Sequence, residues 1–94
     1  MRRVLSDKET KQRLRTLNGW VHTPEGIRKQ YVLEDFKAAM NLVNRVADLA
    51  EEANHHPDFL INYDRVTLTL ITHDAGGITE KDFELAARID AITT

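Results

Sequence analysis

Cysteine is absent from the 94-residue chain, which rules out disulfide staples, thiolate nucleophiles and cysteine-ligated zinc. Proline occurs only twice and glycine four times, and no segment is of low complexity or reads as a linker. No apolar run approaches the roughly 20 residues of a membrane-spanning helix. The Met1-Arg2-Arg3 start leads into charged residues and not into the apolar core of a signal peptide, so a cytoplasmic address is expected. A large excess of one charge is also missing, the formal net charge being −2. Lysines and arginines gather only loosely near the N-terminus, as Arg2, Arg3, Lys8, Lys11, Arg13 and Arg15, and they alternate with Asp7 and Glu9. That pattern is a solvated helix face, so no direct nucleic-acid contact is expected.

What remains is an ordinary globular composition, 41% hydrophobic and 30% charged, in a chain long enough for one core and too short for two. A single domain over 1–94 is expected, burying roughly 60–65% of its unfolded surface. Ser6 with Glu9 three residues on is a capping-box start, and Gly19 a plausible stop, giving a helix over about 7–17. Strands are expected over 20–23 and 27–32, joined by the turn Pro24-Glu25-Gly26. A long helix over about 34–54 must end by Pro57, because proline disfavours helical geometry in the residue before it. A strand over 59–62 then turns through Tyr63-Asp64-Arg65 into a strand over 66–73. On that strand Val66, Leu68 and Leu70 alternate with Thr67, Thr69, Ile71 and His73. Thr79 reads as the cap of a last helix, with Asp82 three positions on.

The long helix is more apolar than a helix facing one core requires. Phe36, Met40, Val43, Ala47 and Ala50 form one stripe, and Leu42, Val46, Leu49 and Ala53 a second beside it. Together they span roughly 200°, against about 100° for a one-sided helix. One side of helix 34–54 should pack on the sheet and the other on a second copy, so a homo-oligomer is expected.

The chemically capable residues cluster between Glu51 and Asp82: Glu51, His55-His56-Pro57, Tyr63, Thr72-His73 and Asp82. Histidine titrates near neutral pH and so can give or take a proton there at little cost. Taken singly, each has an ordinary explanation. His-His-Pro can close a helix and suit its dipole, and His73 can be a surface residue at a strand end. Asp82 can serve only the Thr79 cap, Glu51 can be a solvated charge, and Trp20 is expected in a core.

The combination resembles the pterin-4a-carbinolamine dehydratases. Their pattern is an acid four residues before His-His-Pro, an aromatic, a Thr-His at the next strand's end and an Asp opening the last helix. Gly19-Trp20 and Gly76-Gly77-Ile78-Thr79 are also similar to that family, and the likeness runs from the first helix to the last. Phe59 departs from it, since a tryptophan is common there, but an aromatic ring is kept.

The resemblance implies a two-layer α+β sandwich, a four-stranded antiparallel sheet with helices on one face in the order α-β-β-α-β-β-α. It implies removal of water from 4a-hydroxytetrahydrobiopterin to give quinonoid dihydropterin, without a cofactor. That step belongs to tetrahydropterin recycling, with an aromatic amino acid hydroxylase as pathway partner. By the same resemblance His55, His56 and His73 are the catalytic candidates, one protonating the leaving hydroxyl and another taking the ring N–H proton. Glu51 would orient His55, Asp82 would orient His73 or bond the pterin, and Trp20 would line the pocket. Two rival readings stand beside this one. One is a metal centre of Glu51, His55 and His73; the other is a protein-binding scaffold on the same fold, such as a coactivator or assembly factor.

Overall fold

A computed structural model describes residues 3–93; Arg2 of the basic N-terminal set lies outside the described residues. The elements follow the order α1 (Asp7–Leu14), β1 (Val21–Thr23), β2 (Gly26–Val32), α2 (Phe36–Ala53), β3 (Asp58–Asn62), β4 (Arg65–Leu70) and α3 (Glu80–Thr93). All four strands pair antiparallel in one open sheet of order β1-β2-β4-β3. This is the α+β architecture expected.

One sheet face makes the core. Ile27 and Tyr31 on β2 and Val66, Leu68 and Leu70 on β4 are buried, together with Ala39, Leu42 and Val46 of α2 and Phe83, Leu85, Ala86 and Ile89 of α3. The alternation is that of a sheet covered on one side. On the other side Arg28 and Gln30 are exposed, and the Gln30 amide donates to Thr67 Oγ1 at 3.3 Å.

At the start of α1, Ser6 accepts from the Glu9 amide and the Glu9 carboxylate accepts from the Ser6 amide, a complete capping box. The Arg3 guanidinium bonded to that carboxylate, with help from the Ser6 amide, lowers the Glu9 pKa to about 2. The helix ends at Leu14, three residues short of the expected end, and Leu17 caps the following turn through its bond to the Leu14 carbonyl.

On α2, burial cuts across the two expected stripes: Ala50 of the first is buried, and Leu49 and Ala53 of the second are only partly covered. Leu42 and Val46 join Ala39 and Ala50 in the core, whereas Phe36 is half exposed and Met40, Val43 and Ala47 are only partly covered. The helix closes on Asn54, which takes a left-handed conformation (φ 49°), one that asparagine tolerates better than most residues. The Asn54 and His55 amides both return to the Ala50 carbonyl. The chain therefore reverses just before the histidine pair.

The expected strand 66–73 is shorter than the alternation implied. β4 stops at Leu70 because both neighbours run out there. Ile27 is the last β2 residue paired, opposite Leu70, and Asp58 the last of β3, opposite Thr69; Pro57 beyond it has no N–H to extend the ladder. Thr72 instead forms a bridge with Gly77, and its carbonyl collects the amides of Ala75, Gly76 and Gly77. His73 thus sits in a tight turn and not on a strand face.

Candidate active site

Two helix ends meet at one corner of the molecule: the C-terminus of α2 and the N-terminus of α3. The Lys81 ammonium reaches the Asn54 carbonyl at 3.4 Å, and Arg88 pairs with Glu52 at 2.9 Å. Reversal at Asn54 sends His55 inward, where it is 8% exposed, and leaves His56 outside.

His55 Nε2 lies 2.5 Å from Oδ1 of Asp82, and the aspartate is fully buried. The other carboxylate oxygen, Oδ2, accepts from the Thr79 amide at 2.9 Å and the Thr72 hydroxyl at 3.0 Å. Burying a carboxylate is costly unless its oxygens are bonded, and here three donors satisfy it. Asp82 does belong to a capping arrangement, since the Thr79 hydroxyl also accepts from the Lys81 amide at 3.2 Å. The same carboxylate reaches on to the histidine.

His56 Nε2 lies 2.5 Å from Oε2 of Glu51, with both side chains exposed. The carboxylates are therefore assigned differently from the family-based expectation: Glu51 holds His56, and Asp82 holds His55. The cause is again Asn54, because a left-handed residue breaks the one-turn spacing that would have put Glu51 over His55. His73 follows Thr72 directly, is exposed, and has no side-chain partner among the described residues. A chain of covalent and hydrogen bonds links the three histidines: His56 adjoins His55, which bonds Asp82, which bonds Thr72, which adjoins His73.

Trp20 is not part of that corner. It is buried, and its indole N–H donates to Asp90 Oδ2 at 3.0 Å. Asp90 lies eight residues beyond Asp82 on α3, about 12 Å along the helix axis. The same carboxylate takes Lys29 Nζ at 2.9 Å and the Tyr31 hydroxyl at 2.6 Å. Burial, then the hydrogen bond to Asp90 and the charge of that carboxylate, push the Tyr31 hydroxyl pKa upward. This cluster borders a cavity of about 830 Å³ that includes Lys29, Tyr31, Leu42, Arg45 and Asp90 in its wall and none of the three histidines. Tyr63, the aromatic of the sequence pattern, is exposed at the β3–β4 turn with φ 51°.

The metal reading needs Glu51, His55 and His73 at one centre. Glu51 and His55 are each bonded elsewhere, and among the described residues no group of three histidine, aspartate or glutamate side chains could hold a metal ion.

The threonine hydroxyls are what sequence reasoning missed. Thr79-x-x-Asp82 is legible as a cap and Thr72 as a neighbour of His73, but nothing local shows that one aspartate joins both to His55.

The family model described as pterin 4 alpha carbinolamine dehydratase matches residues 3–92. A protein of Roseiflexus sp. (strain RS-1) named for that dehydratase is 52% identical over 88 residues, 94% of this chain and 95% of the relative. One of Koribacter versatilis (strain Ellin345) with the same name is 46% identical over 92 residues, 98% of each. The crystal structure of a Brucella melitensis protein named transcriptional coactivator/pterin dehydratase superposes with a TM-score of 0.92 at 34% identity, covering 98% of this chain and 100% of that one. Matched from the first helix to the last, on the same fold, the chain belongs to the pterin-4-alpha-carbinolamine dehydratase family.

Proposed function

We propose that the chain dehydrates 4a-hydroxytetrahydrobiopterin to quinonoid dihydropterin, with His55, His56 and His73 as the proton-transfer and ring-binding groups. In that reaction the ring C–O bond breaks and the hydroxyl leaves as water with a proton from a general acid. The neighbouring ring N–H gives its proton to a general base, and its electrons form the C=N bond. The observation that carries this reading is His55: a nearly buried imidazole bonded through Nε2 to a fully buried, donor-saturated carboxylate. A purely structural histidine could satisfy a helix end with far less. His56, held by Glu51 at the surface, and His73, which has no side-chain partner among the described residues, supply imidazoles that a ligand can reach. Asp82 and Glu51 act as supporting carboxylates; Trp20 supports the core beside Asp90. Proton transfer alone suffices for this elimination, so the reading uses no cofactor.

The test is an assay with synthetic carbinolamine. The unmodified chain should accelerate dehydration, and His55→Ala and His73→Ala should each lower kcat/KM, on the order of 10²-fold for a lost acid or base. No rate above background for the unmodified chain would leave the scaffold reading, a coactivator or assembly factor, in its place. The name of the Brucella protein pairs both roles for that relative, and the half-exposed Phe36 with exposed Val32 offers a surface for the second.

In the cell, the reaction places the chain in tetrahydropterin recycling beside an aromatic amino acid hydroxylase. A cytoplasmic location agrees with the finding that, among the described residues, no helix is long and apolar enough to cross a membrane. The partly uncovered stripe Phe36, Met40, Val43 and Ala47 on α2 supports a homo-oligomer through helix 34–54. Sedimentation equilibrium should give a multiple of the 10.8 kDa chain mass; a monomer mass at every concentration would remove this interface.

A further inference from the structure

We infer that Thr72, aligned by Thr79, is a positioning residue that fixes His55 in the Nε2–H tautomer, so that His55 exchanges its catalytic proton through Nδ1. The inference rests on His55 being a catalytic group and adds which of its atoms works and what sets that choice.

Hydrogens can be counted along a buried chain of hydrogen bonds. At one end, the Lys81 amide can only donate, and it donates to Thr79 Oγ1 at 3.2 Å. At the other end, an ionised Asp82 can only accept. Between them Thr72 Oγ1 lies 2.7 Å from Thr79 Oγ1 and 3.0 Å from Asp82 Oδ2. A hydroxyl has one hydrogen. Thr72 spends its own on Asp82, so the hydrogen between the threonines belongs to Thr79. The direction of every bond is then settled: Lys81 N–H to Thr79, Thr79 O–H to Thr72, Thr72 O–H to Asp82. With the Thr79 amide also on Oδ2, that oxygen is filled and Oδ1 faces the imidazole. An acceptor at 2.5 Å requires a hydrogen on Nε2.

The other ring nitrogen supplies the second half. Nδ1 of His55 has no hydrogen-bond partner among the described residues, yet among them no buried polar side-chain atom lacks one. The small exposure of His55 therefore includes Nδ1. Neutral His55 presents a lone pair there, and after accepting a proton it presents Nδ1–H. Both threonines are 1% exposed, so water cannot replace the missing hydroxyl without entering the core.

The experiment is long-range ¹⁵N–¹H correlation NMR of the His55 ring in the full chain, combined with kinetics on Thr72→Val and Thr72→Ser. In the unmodified protein neutral His55 should show the Nε2–H pattern alone. Thr72→Val removes a donor that favours the carboxylate form of Asp82, so the hydrogen between the pair can lie on Oδ1 and leave Nδ1 protonated. Both tautomers should then appear and kcat should fall about tenfold, the loss expected for one hydrogen bond to a charged group, with KM within about twofold. Thr72→Ser, which keeps the hydroxyl, should restore both signals. An Nδ1–H pattern in the unmodified protein overturns the inference without any variant, which covers the case in which Thr72→Val fails to fold. Unchanged tautomer and kcat in Thr72→Val overturn it as well. The His55→Ala assay separates this from the functional reading: full activity there refutes catalysis by His55, while the tautomer pattern still decides the role of Thr72.

Discussion

Asp82→Ala should unfold much of the population near physiological temperature, and Asp82→Asn should keep the fold while losing the activity. The alanine variant strands three donors at once: His55 Nε2, the Thr72 hydroxyl and the Thr79 amide. An unsatisfied buried polar group costs about 1–3 kcal/mol. His55 can turn toward solvent, so the two donors that cannot, the Thr72 hydroxyl and the Thr79 amide, set a loss of about 3–5 kcal/mol. Domains of this size hold only about 5–15 kcal/mol in total, so thermal unfolding should fall by roughly 15–30 °C. Asparagine is nearly the same shape. Its single oxygen can still receive Thr72 and Thr79, but its NH₂ then faces His55, which must move its own hydrogen to Nδ1. The imidazole stays in place with its accepting nitrogen turned inward. Dehydration should drop on the order of 10²-fold or more, with a far smaller change in melting temperature. An Asp82→Asn protein with native kcat would sink this account of the corner.

Gly26→Ala has the second large expected effect, and here the cause is backbone. Gly26 opens β2 with φ +138°, and a Cβ built there would stand 2.1 Å from the Leu70 carbonyl oxygen and 2.9 Å from its carbon. Neither atom can rotate away, since Leu70 pairs with Ile27 in the adjacent strand. Backbone strain of about 1–3 kcal/mol adds to overpacking of about 1–3 kcal/mol, so a loss of about 3–5 kcal/mol in urea unfolding is expected. Activity should fall with it, because Leu70 lies only two residues before Thr72. Gly76→Ala is the control: φ is +80°, but nothing lies within 4 Å of the added Cβ. It should cost only about 1–2 kcal/mol, the penalty of a left-handed backbone alone. Equal losses in the two variants would show that the close approach at Gly26 is not what matters.

Much of the scaffold is legible locally. Ser6 and Glu9 mark a helix start by themselves, because a capping box is a contact within four residues. Likewise the apolar alternation of Val66, Leu68 and Leu70 finds the buried face of β4. Where that strand ends is another matter. Its end depends on where β2 and β3 stop, and no property of Ile71-Thr72-His73 announces it. The histidine corner divides in the same way. The residue types and their order carry the family resemblance, yet the pairings do not follow from spacing. Four residues suggest that Glu51 lies over His55, but one left-handed residue at Asn54 hands Glu51 to His56 and frees His55 for a carboxylate 27 positions later. Trp20 misled for a related reason. An aromatic beside a glycine says that something is covered, not which end of the molecule it covers.

Helix α3 carries two carboxylates turned into the protein: Asp82 receives His55 and Thr72 from outside the helix, besides the Thr79 amide at its own cap, and Asp90 receives Trp20, Lys29 and Tyr31. A slip of one residue would turn the helix by about 100° and shift it about 1.5 Å, pulling both acids from their sockets together. The helix is thereby pinned at two points, like a beam bolted near each end. Sliding is forbidden, and the only inexpensive motion left is fraying beyond the second bolt, over residues 91–93. Corner geometry around His55 is thus insulated from whatever the C-terminal turn does.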